Sequence, residues 1–168
     1  MRVWRIAGRR RSRLDGAGAR RSGGRWNSKG VAVVYASGTL SLAVLEKLVH
    51  VDADVMPVGQ MVVEIDVPDR LVTTLPRRRL PRGWRRMPPM PTTQHLGDAW
   101  VAAATSPVLA VPSAVVPTEL NYLINPLHPD AARIKVVGRR AFELIVAPAP
   151  SAPRTSSPSG SARFRPPR

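Results

Sequence analysis

The chain has 168 residues, 43% of them hydrophobic, which suits one domain with a core of Val, Leu, Ile and Ala; it has no cysteine, so disulfides and thiolate zinc sites are excluded. The net charge of +15 is uneven: residues 1–25 hold nine arginines and one acid, residues 70–86 hold seven more arginines, and lysine occurs only at Lys29, Lys47 and Lys135. No apolar run approaches the roughly 20 residues that cross a bilayer, and the start Met1-Arg2-Val3-Trp4-Arg5 lacks the apolar region of a signal peptide, so a cytoplasmic protein is expected.

Residues 2–7 alternate polar and apolar and predict a first strand. Residues 8–30, rich in Gly, Arg and Ser, read as a long loop, the kind that is functional or disordered. Val31 to Ala36 is a continuous apolar run rich in β-branched valine and predicts a buried strand. Ser37 or Thr39 can then cap a helix over Leu40 to His50, apolar nearly all round and so expected to be buried on most of its surface. Met56 to Val67 holds another strand, ended by Pro68. Residues 70–94 are expected to be an exposed excursion with little regular structure. A short helix follows over Leu96 to Thr105, then a strand over Val108 to Val116 that bends at Pro112. Glu119 to Asp130 reads as turn-rich, and Arg133 to Val137 with Phe142 to Val146 as a closing hairpin. From Pro148 the chain is Pro, Ser, Ala and Arg, with six prolines in 21 residues, the composition of a disordered tail.

Three polar residues stand where a plain fold does not call for them. Arg25 sits in Gly23-Gly24-Arg25-Trp26-Asn27; its planar fork of donors matches a phosphate, and the glycines let backbone approach a ligand. The plain alternative is one more surface arginine. Glu46 is the only acid between Asp15 and Asp52 and lies on the least polar helix. A buried carboxylate without a partner costs several kcal/mol. It is therefore either in a structural ion pair, with His50 one turn on, or faces a cavity with Arg25, where it can hold ribose hydroxyls or stabilise positive charge at an anomeric carbon. Ser113 follows Pro112 in a buried strand without a nucleophile elbow, which favours a hydroxyl that orients a substrate over a serine-hydrolase nucleophile. Tyr35 is either core or a stacking surface for a flat ring. The three histidines have no metal-site spacing, and no metal is expected.

The stretches Leu14-Asp15-Gly16-Ala17-Gly18-Ala19-Arg20, Gly23-Gly24-Arg25-Trp26-Asn27-Ser28, Val34-Tyr35-Ala36-Ser37, Leu45-Glu46-Lys47-Leu48-Val49-His50, Val111-Pro112-Ser113 and Glu119 to Pro129 together resemble the RES domain, a family named for its Arg, Glu and Ser. The resemblance covers about residues 2–147, and leaves 148–168 as the tail. It implies an α+β fold similar to the ADP-ribosyltransferases: a mixed, largely antiparallel sheet with a buried helix. It implies a toxin of a bacterial toxin–antitoxin pair that degrades NAD by hydrolysis or phosphorolysis, or transfers ADP-ribose to a protein. By the resemblance Arg25, Glu46 and Ser113 are the catalytic positions, and Tyr35, Arg25 and Asn121 bind NAD. The partners implied are a cognate antitoxin, NAD itself and inorganic phosphate, with Arg5, Arg20 and Lys29 as candidates for a phosphate site. No membrane is implied, and nucleic acid only through the antitoxin complex. The competing reading from composition is a basic nucleic-acid-binding protein, for which Trp84 among Arg82, Arg85 and Arg86 is the one interleaved aromatic. A third is a family member that keeps the fold and has lost the activity.

Overall fold

A computed structural model describes residues 1–9, 12–49 and 59–143. The expected tail 148–168, His50, and the parts of two expected strands at 56–58 and 144–146 lie outside the described residues.

Seven strands form one mixed sheet: β1 (Arg2–Gly8), β2 (Val34–Ser37), β3 (Gln60–Asp66), β4 (Val72–Thr74), β5 (Val108–Pro112), β6 (Leu120–Ile124) and β7 (Lys135–Phe142). Their order is β4-β5-β6-β2-β1-β3-β7, and only the β4–β5 pair is parallel. Helices α1 (Ala17–Ser22), α2 (Leu40–Leu48) and α3 (Pro91–Ala103) complete the fold. The α+β class and mixed sheet are as expected.

Alternation along the strands separates two apolar layers. Val3, Val34, Ala36, Val63, Ile65, Val108, Tyr122 and Ile124 fill one face, closed by Leu71 and Ile134. Leu109, Val111 and Leu123 fill part of the other, against Trp26, Trp100 and Leu75.

Four expectations are corrected. Glu119 to Asp130 is not mainly turns: Leu120–Ile124 is a central strand, paired with β2 and β5, because Tyr122, Leu123 and Ile124 are buried and outweigh the turn residues around them. The closing hairpin is a single edge strand, β7; Gly138 lies opposite Glu64 at a bulge and does not turn the chain. Segment 70–94 holds β4, a 3₁₀ turn at Arg77–Arg79, and the first turn of α3, which starts on Pro91, where the missing N–H costs nothing. Finally, α2 is not buried all round. Thr39 caps it by accepting from Leu42 N, and Leu42 and Ala43 are buried, but Leu45 and Val49 at its far side are exposed.

Candidate active site

The sheet forks between β1 and β2. β1 pairs with β3 along its whole length, from Arg2↔Asp66 to Gly8↔Gln60, but with β2 only at Trp4↔Ser37. Past Trp4 the two strands part, and Arg5 Nη1 reaches across to donate to the Tyr35 carbonyl at 2.9 Å. A cleft of about 880 Å³ opens in this fork. Its walls are β1, the Gly23–Arg25 loop, the end of β2, and the Glu46–Lys47 turn of α2. Among the described residues its charged lining is cationic, Arg5, Arg9, Arg25 and Lys47, against one acid, Glu46.

Glu46 is held by its neighbours in a specific way. Ser113, fully buried after β5, accepts from Val115 N at 3.0 Å and Val116 N at 2.9 Å. Both lone pairs of its hydroxyl are thereby used, so its proton goes to Glu46 Oε1, at 2.7 Å. Asn121 Nδ2 donates to the same oxygen at 2.6 Å. The Asn121 carbonyl in turn accepts from Ser37 Oγ at 2.7 Å, which with the carboxylate fixes the orientation of the amide. Two strand ends thus donate to one carboxylate oxygen and a third orients one of the donors, while no bond reaches Oε2 among the described residues. An ionised carboxylate with one oxygen anchored and the other toward a cleft can stabilise positive charge on a ligand.

The Arg25 loop is built by different residues. Asn27, fully buried, donates through Nδ2 to the carbonyls of Ala19, Ser28 and Val31, and accepts from the Tyr35 hydroxyl at 2.7 Å. That hydroxyl accepts in turn from Trp26 N at 3.0 Å. Gly24 must be glycine, since a Cβ there would stand 2.6 Å from the Tyr35 oxygen. Helix α3 backs the loop: Gln94 donates to the Gly24 carbonyl, Asp98 accepts from Ser28 N, and Gly97 lies flat against the Trp26 carbonyl. Burial pushes the Tyr35 phenol well above its usual range, the bond from Trp26 opposing it.

Arg25 itself donates to the carbonyls of Trp84 at 2.6 Å and Arg86 at 3.0 Å, and contacts the Met87 sulfur at 3.0 Å. It thereby ties down the Arg-rich segment, whose Pro89 reaches the cleft. Burial lowers the pKa of its guanidinium; attraction to Glu46 and Tyr35 opposes the shift.

The structure therefore brings Arg25, Tyr35, Glu46 and Asn121 to one cleft, and puts Ser113 behind Glu46, away from the lining. Arg25 and Glu46 share the cleft while each bonds other partners. Of the phosphate candidates Arg5 lines the cleft; Arg20 and Lys29 do not. Trp84, the aromatic on which a nucleic-acid platform rested, packs on Trp26 with ring centroids 6.1 Å apart. Sequence reading missed Ser37, Gln60, Gln94, Gly97, Asp98 and the bonding role of Asn27. Among these Asn27, two residues after Arg25 in a marked motif, and Ser37, at the end of the marked stretch Val34-Tyr35-Ala36-Ser37, carried a signal.

Comparison with known proteins agrees with this architecture. The model of the family described as the RES domain matches residues 2–147. A protein of Sphingobium sp. named "Prs ADP-ribosylating toxin" is 42% identical over 139 residues, which covers 79% of this chain and 86% of that protein. A "Toxin Res" of Yersinia enterocolitica is 40% identical over 131 residues, 76% of this chain and 86% of its own length. Among solved structures, a chain of the M. tuberculosis MbcT–MbcA toxin–antitoxin complex superposes with a TM-score of 0.69 over 84% of this chain and 83% of that one, at 20% identity.

Proposed function

The chain belongs to the RES domain family, and from that premise we propose that it is a toxin that consumes NAD by breaking the bond between nicotinamide and ribose. The observation that carries this reading is Glu46: a carboxylate with Oε1 pinned by Ser113 and Asn121, on the wall of a cleft whose other described charged residues are cations. NAD has matching parts. Its diphosphate suits Arg5, Arg25 and Lys47, and the cleft volume is in the range of small-molecule and cofactor sites. When the C1′–N bond breaks, its electron pair leaves with neutral nicotinamide, and the sugar becomes oxocarbenium-like. Glu46 stabilises that cation or holds the ribose hydroxyl. Ser113 and Asn121 keep the carboxylate in place, so it need not reorganise as charge develops. The acceptor that closes the reaction attacks C1′: water gives ADP-ribose, phosphate gives ADP-ribose-1″-phosphate, and a nucleophilic side chain gives an ADP-ribosylated protein. The name of the Sphingobium relative favours keeping the third route beside the first two.

An antitoxin partner follows from the same family reading, and the cationic mouth suits an acidic one. The test is incubation of the purified protein with NAD, with and without inorganic phosphate and with cell extract, resolving products by mass. NAD loss that disappears in Glu46→Gln supports the proposal. NAD left intact under all three conditions overturns it.

A further inference from the structure

Gln60 opens β3 opposite Gly8 and lines the cleft, is more than nine-tenths buried, and its Oε1 has no hydrogen-bond partner. A buried amide oxygen left unpaired is destabilising, and such groups are rare in folded proteins. By the strand register Gln60 and Gly8 lie on the same sheet face as Trp4, Ser37 and Asn121, the face that carries the Glu46 network. They sit at its other end: Gly8 is four residues along β1 from Trp4, about 13 Å at the usual rise of a strand. The same cleft is lined by Arg5, Arg9, Arg25 and Lys47, cations that suit a diphosphate. Beside Gln60, Gly8 and Gly59 present no side chains, Phe142 is its partner on β7, and among the described residues a Cβ added to Gly8 would meet Gln60 Nε2 alone, at 3.9 Å.

We propose that Gln60 is a specificity-determining residue that reads the adenine base of the dinucleotide, its Oε1 accepting from the exocyclic amine while Nε2 donates to N7. This rests on the reading of the cleft as an NAD site and adds which end of NAD lies where. An amide is complementary to that edge of adenine, donor beside acceptor. Oε1 is buried from solvent in this structure, so the amide must turn to meet the base, which the soft terminal torsion of a glutamine permits. Hypoxanthine offers two acceptors on the same edge, so one of its atoms would face Oε1 without a proton between them, whichever way the amide turns.

The experiment compares kcat/KM for NAD and for nicotinamide hypoxanthine dinucleotide, in the wild type and in Gln60→Met, which keeps size and loses both polar atoms. The wild type is expected to prefer NAD at least about tenfold, the effect of one unmade buried bond. Gln60→Met is expected to lose that preference while its thermal midpoint stays within a few degrees. Calorimetric binding of ADP-ribose against inosine diphosphate ribose repeats the comparison without turnover. Should Gln60→Met not fold, the wild-type ratios decide. Equal use and equal binding of the two bases by the wild type, or an unchanged preference in Gln60→Met, overturns the assignment. If the wild type leaves NAD intact yet binds ADP-ribose in preference to the inosine analogue, the cleavage reading falls and the role of Gln60 stands.

Discussion

Ser113→Ala tests how the carboxylate is held. The change removes one hydrogen bond to an ionised group, worth about 1.5–3 kcal/mol net, and leaves two backbone N–H groups to find other partners, at about 1 kcal/mol each. No bulk is lost beyond one oxygen, so no cavity term is added. Glu46 is half-buried, and water recovers part of what its oxygen loses. The expected destabilisation is therefore about 2–4 kcal/mol, read from denaturant midpoints at unchanged slope. Activity should fall differently. Oε1 keeps Asn121 and loses Ser113, so the carboxylate is free to drift by a fraction of an ångström. A misplacement of that order costs about 10- to 100-fold, and it should appear in kcat for NAD loss, with KM little changed. Asn121→Ala should give a similar kcat effect, and the two changes should be strongly non-additive, because both anchor the same oxygen. A Ser113→Ala protein with wild-type kcat and a raised KM would refute the reasoning, since that pattern belongs to a hydroxyl touching bound substrate.

Further outcomes follow from the loop and its supports. Gly97→Ala should cost at least about 3 kcal/mol or prevent folding, because a methyl group there overlaps the Trp26 carbonyl and either α3 or the Arg25 loop must move; thermal melting checks it. Arg25→Ala should free the segment from Trp84 to Met87 from three of its contacts, so limited trypsin digestion should cut at Arg82, Arg85 or Arg86 faster than in the wild type, in addition to any loss of activity. The raised pKa of Tyr35 carries a pH signature. The unfolded chain gives up this proton near the ordinary value of 10.0 while the folded chain retains it, so the contribution is complete below that pH and is lost above it, by up to about 1.4 kcal/mol per pH unit. Tyr35→Phe should therefore flatten the alkaline limb of the stability–pH curve, while lowering stability at neutral pH through the loss of its bond to Asn27.

Much of the fold could be read from the chain because its strands are marked by local pattern. Val63, Ile65 and Val67 alternate with polar residues, and the apolar run ending at Ala36 reads as a buried strand, although only its last three residues, with Ser37, form β2. The failures share a cause. In Leu120–Ile124 turn-forming residues flank five residues that are a strand only because β2 and β5 flank them, a tertiary fact absent from the segment itself. Helix α2 misled in the opposite direction: its composition is apolar all round, yet only Leu42 and Ala43 are buried, and nothing local distinguishes them from Leu45 or Val49. Residues 70–94 looked irregular because Pro and Arg dominate, but Val72–Thr74 needs only three residues to add to the edge of β5.

The candidate site was legible at its three odd polar residues and opaque in its wiring. An acid on an apolar helix is visible as an anomaly, and the anomaly is resolved 67 and 75 positions away, by Ser113 and Asn121. Nothing local joins Ser37 to Asn121, since one reads as a cap and the other as a turn residue; the register that sets them side by side appears only when β2 and β6 pair. The same pairing explains why the arginine, the glutamate and the serine are not equivalent. Glu46 borders the cleft; Ser113 acts on it from the core side; Arg25 faces the cleft while holding the segment that forms part of its rim. Loss of each should therefore fail in its own way: Glu46→Gln in chemistry with the fold intact, Ser113→Ala in both, and Arg25→Ala in the order of the segment beside it. A set of three variants with one common pattern of loss would mean that the three residues meet the substrate together, contrary to this arrangement.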